Sequence, residues 1–222
     1  MADPRVRQEL KGVVREAGVR MADSGLTVST WGNISVCDRE AGIFYVTPSG
    51  MDYHALVDDD IVALDLDGTV VEGARRPSIE RELHRLVYRA RPDVTAVVHT
   101  HPMFSTVFGC MGESIPLNIH DEAAQALGDT VRVCDYALPG TTELAEQVVR
   151  TLGGRAKACL MRSHGAVCVG ADIDDAFKVA TALEMVAELA WRIRACGGSY
   201  LPISDENVAA MQEFVRTGYG QR

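Results

Sequence analysis

The sequence predicts an α/β fold, a mixed and largely antiparallel sheet covered by helices, formed as a single domain over residues 1–222. Three observations carry this expectation. Apolar residues recur at helical spacing in several segments. Short apolar runs are joined by hairpin turns rather than by regular helical crossovers. No linker, repeat or low-complexity tract divides the chain, whose 47% hydrophobic and 24% charged residues suit one globular core.

Taken in order, residues 5–22 place Val6, Leu10, Val13, Val14, Ala17 and Met21 at helical spacing and stop at Ser24-Gly25. Strand-like runs follow at 33–36, 43–47 and 61–65. Asp67-Gly68 then makes a turn, and Val70-Val71 resumes the hairpin. Residues 78–90 read as a helix with Ser78 as N-cap and Leu83, Leu86 and Val87 as its apolar face. A strand over 94–99 follows at once. Thr141 and Thr142 offer caps for a helix over 143–151. Runs at 158–161 and 166–169 flank Arg162-Ser163-His164-Gly165 and read as another hairpin. Asp172 opens a long helix over 175–195, closed by Gly197-Gly198, and a last helix runs from Ser204 to about Thr217-Gly218.

Composition narrows the function classes. A formal net charge of −9 argues against a nucleic-acid or anionic-membrane surface, while leaving an anionic small substrate open. Residues 1–10 are charged throughout and do not resemble a secretory signal, and no apolar run reaches the roughly 18–20 residues of a membrane span. The six cysteines lack CxxC spacing and mostly sit among apolar neighbours, which points to a reduced, cytoplasmic compartment.

The most informative segment is Val97-Val98-His99-Thr100-His101. Residues two apart on a strand face the same side, roughly 7 Å apart at the backbone, so two imidazoles at a strand end can share a metal ion. Glu80, at the start of the preceding helix, and His164, in the turn between two apolar runs, are the candidate partners. Three neutral imidazoles and a carboxylate suit Zn²⁺, with Mn²⁺, Fe²⁺ or Co²⁺ as rivals. Each residue alone also has a plain reading, such as a solvated helix-start acid or a polar turn residue.

The ordered set Trp31-Gly32-Asn33-Ile34-Ser35, Thr47-Pro48-Ser49-Gly50, Pro77-Ser78-Ile79-Glu80, His99-Thr100-His101 and Ser163-His164-Gly165 resembles the class II aldolase/adducin-head family over essentially the whole chain. Its branches include L-fuculose-1-phosphate aldolases, the nearest in motif, and L-ribulose-5-phosphate 4-epimerases. The resemblance implies a three-layer α/β/α fold and a fourfold-symmetric homotetramer with sites between subunits. It assigns metal to His99, His101 and His164, with Glu80 as both resting ligand and acid/base. Glutamate at position 80 resembles the aldolase branch, where the epimerase branch usually has aspartate. Tyr219 is the counterpart of a C-terminal tyrosine implicated in proton transfer. The implied reaction is retro-aldol cleavage of a ketose 1-phosphate to dihydroxyacetone phosphate and an aldehyde, with the ion stabilising an enediolate.

Two positions depart from the family pattern. Its anion site uses donors matched here by Gly32, Asn33, Ser49, Gly50 and Ser78, but the second serine of a Ser-Ser pair is Ile79, which donates no hydrogen bond. Phosphate is then held by fewer donors, or the anionic group is a carboxylate. Arg75, Arg76 or Arg81 could compensate, although arginines beside a helix start are usually solvated. Asp121 stands where the fuculose enzyme has tyrosine and near a catalytic aspartate of the epimerases; it or His120 would act in a neighbouring subunit's site, or His120–Glu122 would simply start a helix through Ala126. Metal-dependent decarboxylation of a hydroxy- or keto-acid and C4 epimerisation of a pentulose 5-phosphate are therefore alternatives. A non-catalytic adducin-like interaction domain is disfavoured by the intact ligand set.

Overall fold

The computed structural model describes residues 3–218. Eight strands, β1 (Asn33–Asp38), β2 (Ile43–Val46), β3 (Val62–Asp65), β4 (Val70–Glu72), β5 (Ala96–Thr100), β6 (Val133–Cys134), β7 (Ala158–Met161) and β8 (Gly165–Gly170), form one sheet in the order β4-β3-β2-β1-β5-β8-β7-β6. Every neighbouring pair is antiparallel except β6 with β7, so the sheet is mixed and mostly antiparallel, as the hairpin signals predict.

Among the described residues seven α-helices accompany it: α1 (Gln8–Asp23), α2 (Arg81–Ala90), α3 (Met103–Met111), α4 (Asp121–Ala126), α5 (Thr142–Leu152), α6 (Ile173–Ala195) and α7 (Asp205–Thr217). The period-two alternation of the strands sorts side chains into two cores, giving the three-layer arrangement. On one face Ile34, Tyr45, Ala96, Val98, Leu160 and Cys168 pack against α1, α3, α4 and α6. On the other, Phe44, Val97, Cys159, Val167 and Val169 pack against Leu83 and Val87 of α2 and Leu144 and Val148 of α5.

Most predicted elements recur within a few residues, and the caps at Thr141, Asp172 and Ser204 accept from the backbone N–H three residues on, as expected of N-caps. The start of α2 is a correction. Ser78 does not occupy the N-cap position; Glu80 does, with no capping hydrogen bond from its side chain. Ser78 instead organises the turn before it, its Oγ accepting from Glu80 N–H at 3.2 Å and its carbonyl accepting from Arg81 N–H at 3.2 Å. Helix α3 has no counterpart in the sequence reading: its sequence is apolar almost throughout, and its N-terminal amides are capped from a distance by Glu184. No helix among the described residues is long and apolar enough to cross a membrane.

Candidate active site

The central strands bring the candidate ligands together. Antiparallel pairing sets His99 of β5 opposite Asn33 of β1 and Val167 of β8, with Thr100 opposite Ala166. The turn from β7 to β8 carries His164 back over the end of β5. That turn needs Ser163 in the left-handed region at φ 55, and it places Gly165 against the β5 backbone. His101 lies just beyond β5, where its backbone N–H donates to the Leu26 carbonyl at 3.0 Å and Trp31 stacks on its ring.

The three rings form a tight cluster. Their centroids are 4.7–4.9 Å apart, and one nitrogen of each lies within 4.8 Å of those of the other two. Glu80, at the N-terminus of α2, approaches from the side: its Oε2 is 3.1 Å from His99 Nε2 and its Oε1 is 3.7 Å from His164 Nε2.

Several features suit a divalent ion. His99 Nδ1 bonds the Ala166 carbonyl at 2.9 Å, which turns Nε2 inward toward His101 Nε2, 3.0 Å away. Two ring nitrogens aimed at one another at that distance share an electrophile well. Anchoring the outer nitrogen on a carbonyl also fixes tautomer and ring orientation, a common arrangement behind a metal-ligating histidine. Oε1 of Glu80 is buried with no hydrogen-bond partner, an orphaned acceptor beside the imidazoles. His99, His101 and His164 can hold the ion, with Glu80 as a further oxygen donor.

The electrostatics agree. Burial opposes ionisation of Glu80, but His99, His164 and the Asn33 amide outweigh it and hold the carboxyl well below its ordinary range. Burial disfavours charge on His99, yet Glu80 beside it reverses the balance and raises its pKa. His101 is pushed down to about 3 and His164 to about 4, by burial first and then by neighbouring His99. Ion entry would therefore displace at most one proton from three otherwise neutral rings.

The cluster opens into a cavity of about 580 Å³. All five predicted anion-site residues, Gly32, Asn33, Ser49, Gly50 and Ser78, line it. A bridge between Pro48 and Pro77, with Ser78 N–H donating to the Thr47 carbonyl, draws the Ser49-Gly50 loop beside Ser78. Gly32 (φ 84) passes so near β5 that a Cβ there would lie 2.6 Å from the His99 carbonyl. Ile79 lines the same cavity and is 58% exposed, an apolar side chain amid the donors. Of the nearby arginines, Arg75 is tied to Asp60 at 2.7 Å, whereas Arg76 and Arg81 line an adjoining cavity that shares Ser49 and Ile79.

One expected residue is not brought to this cavity, and a second falls outside the described residues. Asp121 begins α4 and lines a different cavity with Arg20, His120 and Lys178. Tyr219 lies outside the described residues. Sequence reasoning also missed His84, a fully buried histidine on α2 that touches Asn33. The signal available was a histidine set between Leu83 and Val87 on an apolar helix face.

Comparison with known proteins agrees with this architecture. The model of the class II aldolase and adducin N-terminal domain family matches residues 13–191. The chain is 36% identical over 205 residues to a 5-deoxy-D-ribulose 1-phosphate aldolase of Bacillus thuringiensis serovar kurstaki, covering 92% of this chain and 94% of that one. It is 34% identical over 207 residues to an L-ribulose-5-phosphate 4-epimerase of Salmonella paratyphi C, covering 89% and 91%. A solved L-fuculose 1-phosphate aldolase superposes with a TM-score of 0.91 at 32% identity, over 96% of this chain and 100% of that one. With its ring cluster, its flanking carboxylate and relatives of this kind, the chain belongs to the class II aldolase and adducin N-terminal domain family and is a divalent-metal-dependent enzyme of it.

Proposed function

We propose that this enzyme is a lyase that cleaves a short ketose 1-phosphate by a retro-aldol reaction into dihydroxyacetone phosphate and an aldehyde. The observation that carries the reading is the placement of His99, His101, His164 and Glu80 on a cavity walled by anion donors. An ion held by the three imidazoles supplies Lewis-acid polarisation of the substrate's carbonyl and stabilises negative charge on its oxygens. The chain's own groups do the rest. Gly32, Ser49, Gly50 and Ser78 bind and orient the anionic end, and Asn33 has a second amide hydrogen to add. Glu80 carries the proton to the reacting carbon in cleavage, and Oε1, the oxygen without a hydrogen-bond partner, is the atom placed to carry it. In the cleavage direction the carbon freed by the broken C–C bond gains a proton, so Glu80 must be protonated before it gives that proton up; its ionised form is the one that takes the proton back in the reverse, aldol direction.

Zinc is the ion this donor set suits best, with Mn²⁺, Co²⁺ and Fe²⁺ as alternatives. We further read the enzyme as a cytoplasmic homotetramer. Asp121 lines a cavity apart from its own chain's histidines, so a catalytic role for it requires a neighbouring subunit's site. Tyr219 is assigned the same duty, protonating or deprotonating the far hydroxyl. The similarity to the 5-deoxy-D-ribulose 1-phosphate aldolase supports a substrate whose far end is short and lacks a terminal hydroxyl. C4 epimerisation of a pentulose 5-phosphate is the second reading, favoured by the 34% identity to an epimerase.

A substrate panel on metal-replete enzyme tests these readings. Ketose 1-phosphates, pentulose 5-phosphates and hydroxy-acids are compared, with aldehyde, epimer and CO₂ scored separately. Aldehyde release from a ketose 1-phosphate is the expected result. Epimer or CO₂ as the only product would overturn it.

A further inference from the structure

A buried chain of polar side chains runs from Glu80 into the protein. Asn33 Nδ2 donates to Glu80 Oε2 at 2.9 Å. Asn33 Oδ1 meets His84 Nε2 at 2.5 Å, and His84 Nδ1 meets Ser35 Oγ at 2.6 Å. Ser35 Oγ meets the Tyr88 hydroxyl at 2.6 Å. None of the five side chains belongs to a residue more than 5% exposed.

The direction of the chain follows from donor arithmetic. An ionised carboxylate only accepts, so the Asn33 amide must turn its NH₂ toward Glu80 and its carbonyl toward His84. His84 Nε2 must then carry the hydrogen. Burial keeps the imidazole neutral, so Nδ1 is an acceptor and Ser35 donates to it. The Ser35 oxygen in turn accepts from Tyr88. Every link points toward the carboxylate.

The fold builds this chain as a zipper. Asn33 and Ser35 are two apart on β1 and share a face, while Glu80, His84 and Tyr88 are four apart along α2 and its cap. Two residues of strand advance about 6.6 Å and four residues of helix about 6 Å, so the two series interleave without slipping. A wholly apolar contact between β1 and α2 would satisfy packing at less risk, because a buried polar chain is costly wherever one link fails. At its outer end Glu80 and Asn33 reach the cavity, with the Glu80 carboxylate beside His99 and His164.

We propose that His84, with Ser35 and Tyr88 behind it, is a positioning residue for Glu80. By fixing the Asn33 amide it holds Oε2 beside His99 and leaves Oε1 facing His164. The inference rests on the reading of Glu80 as a partner of the bound ion, and the test separates the two.

Co²⁺ is the probe, followed by its visible absorption and by competition with a chelator, with no substrate present. His84→Leu is expected to weaken Co²⁺ binding by about 10–100-fold and to alter the spectrum in the same sense as Glu80→Gln, the usual scale for losing a residue behind a metal ligand. His84→Gln restores a donor facing Asn33 and is expected to recover most of that loss. In a Glu80→Gln background, His84→Leu should add less than about twofold, because it acts through the carboxylate. Tyr88→Phe, which removes one hydroxyl and keeps the ring, should shift the spectrum the same way by a smaller amount, and it decides the matter if His84→Leu does not fold. If Glu80→Gln weakens binding while His84→Leu, or Tyr88→Phe in its place, leaves affinity and spectrum unchanged, the positioning role is wrong and the reading of Glu80 stands. Additive losses in the double variant also overturn it. If Glu80→Gln itself changes nothing, Glu80 is no partner of the ion and the proposal falls with that reading.

Discussion

Gly165→Ala tests how tightly the fold must close around the ring cluster. Gly165 opens β8 directly after His164, and a Cβ on it would stand 2.3 Å from the Thr100 carbonyl oxygen and 3.2 Å from ring carbons of both His99 and His101. The first contact is about 1 Å short of an ordinary non-bonded approach near 3.5 Å, and its partner is backbone, which cannot rotate away. Strands β5 and β8 must therefore part at the place where they hold His99 and His164. Overpacking of this kind costs about 1–3 kcal/mol, which in a chain of this length lowers Tm by about 2–12 °C. The geometric effect is the larger one for function. Ligand distances are tolerated within only about 0.2 Å, so a shift of several tenths should weaken divalent-metal affinity at least about tenfold. Differential scanning calorimetry of chelated protein reads the first effect, and competitive Zn²⁺ titration the second. A variant with Tm within about 1 °C of the parent and unchanged Zn²⁺ affinity would refute the claim that the glycine is required by close approach.

His99→Ala should remove the bound ion and the turnover together, as read by metal content after chelator-free purification; full turnover in metal-depleted variant would reject the ligand assignment. Ile79→Ser returns a hydroxyl to the anion site, and one neutral hydrogen bond of about 0.5–1.5 kcal/mol predicts about a two- to tenfold lower KM for a phosphorylated substrate; no change would mean that the anion binds elsewhere. His84 supplies a pH dependence. Burial, then the charge of His99, lowers its pKa to about 3 in the fold, against about 6.5 in the unfolded chain. The unfolded state thus binds the extra proton between those values, and the stability that neutral His84 contributes is complete above about pH 6.5 and lost as pH falls toward 3. Denaturant unfolding of chelated His84→Gln should show a slope against pH smaller than that of the parent by about 1.4 kcal/mol per pH unit between pH 6 and 4. Equal slopes would contradict a buried neutral imidazole.

What was legible in the sequence had local signals behind it. His99 and His101 are readable because strand periodicity alone puts them on one side, and the caps at Thr141, Asp172 and Ser204 because capping is a short-range hydrogen bond. Glu80 was found as a residue but misplaced by one role. Ser78 has the better capping side chain, yet the pairing of Thr47 with Ser78 holds that residue in a turn and moves the helix start on by two. Helix α3 was missed because an all-apolar segment has no period to read, and its cap is supplied by Glu184 of α6. The chain from Glu80 to Tyr88 alternates between elements almost 50 residues apart, so each residue read by itself is merely a polar residue in an apolar neighbourhood.

The position of the ring cluster also couples metal supply to the lifetime of the protein. His99 sits on the strand that joins the first half of the sheet to the second, His101 just beyond its end, and His164 on the turn at the far side of that junction. An ion bound there fastens together segments more than 60 residues apart, and it does so only in the folded state. At a free concentration one hundred times its dissociation constant, such an ion adds about 2.7 kcal/mol to the stability of the fold. Cells starved of the metal would accordingly hold less of the enzyme as well as a less active enzyme, because the metal-free chain spends about a hundredfold more of its time open to proteases.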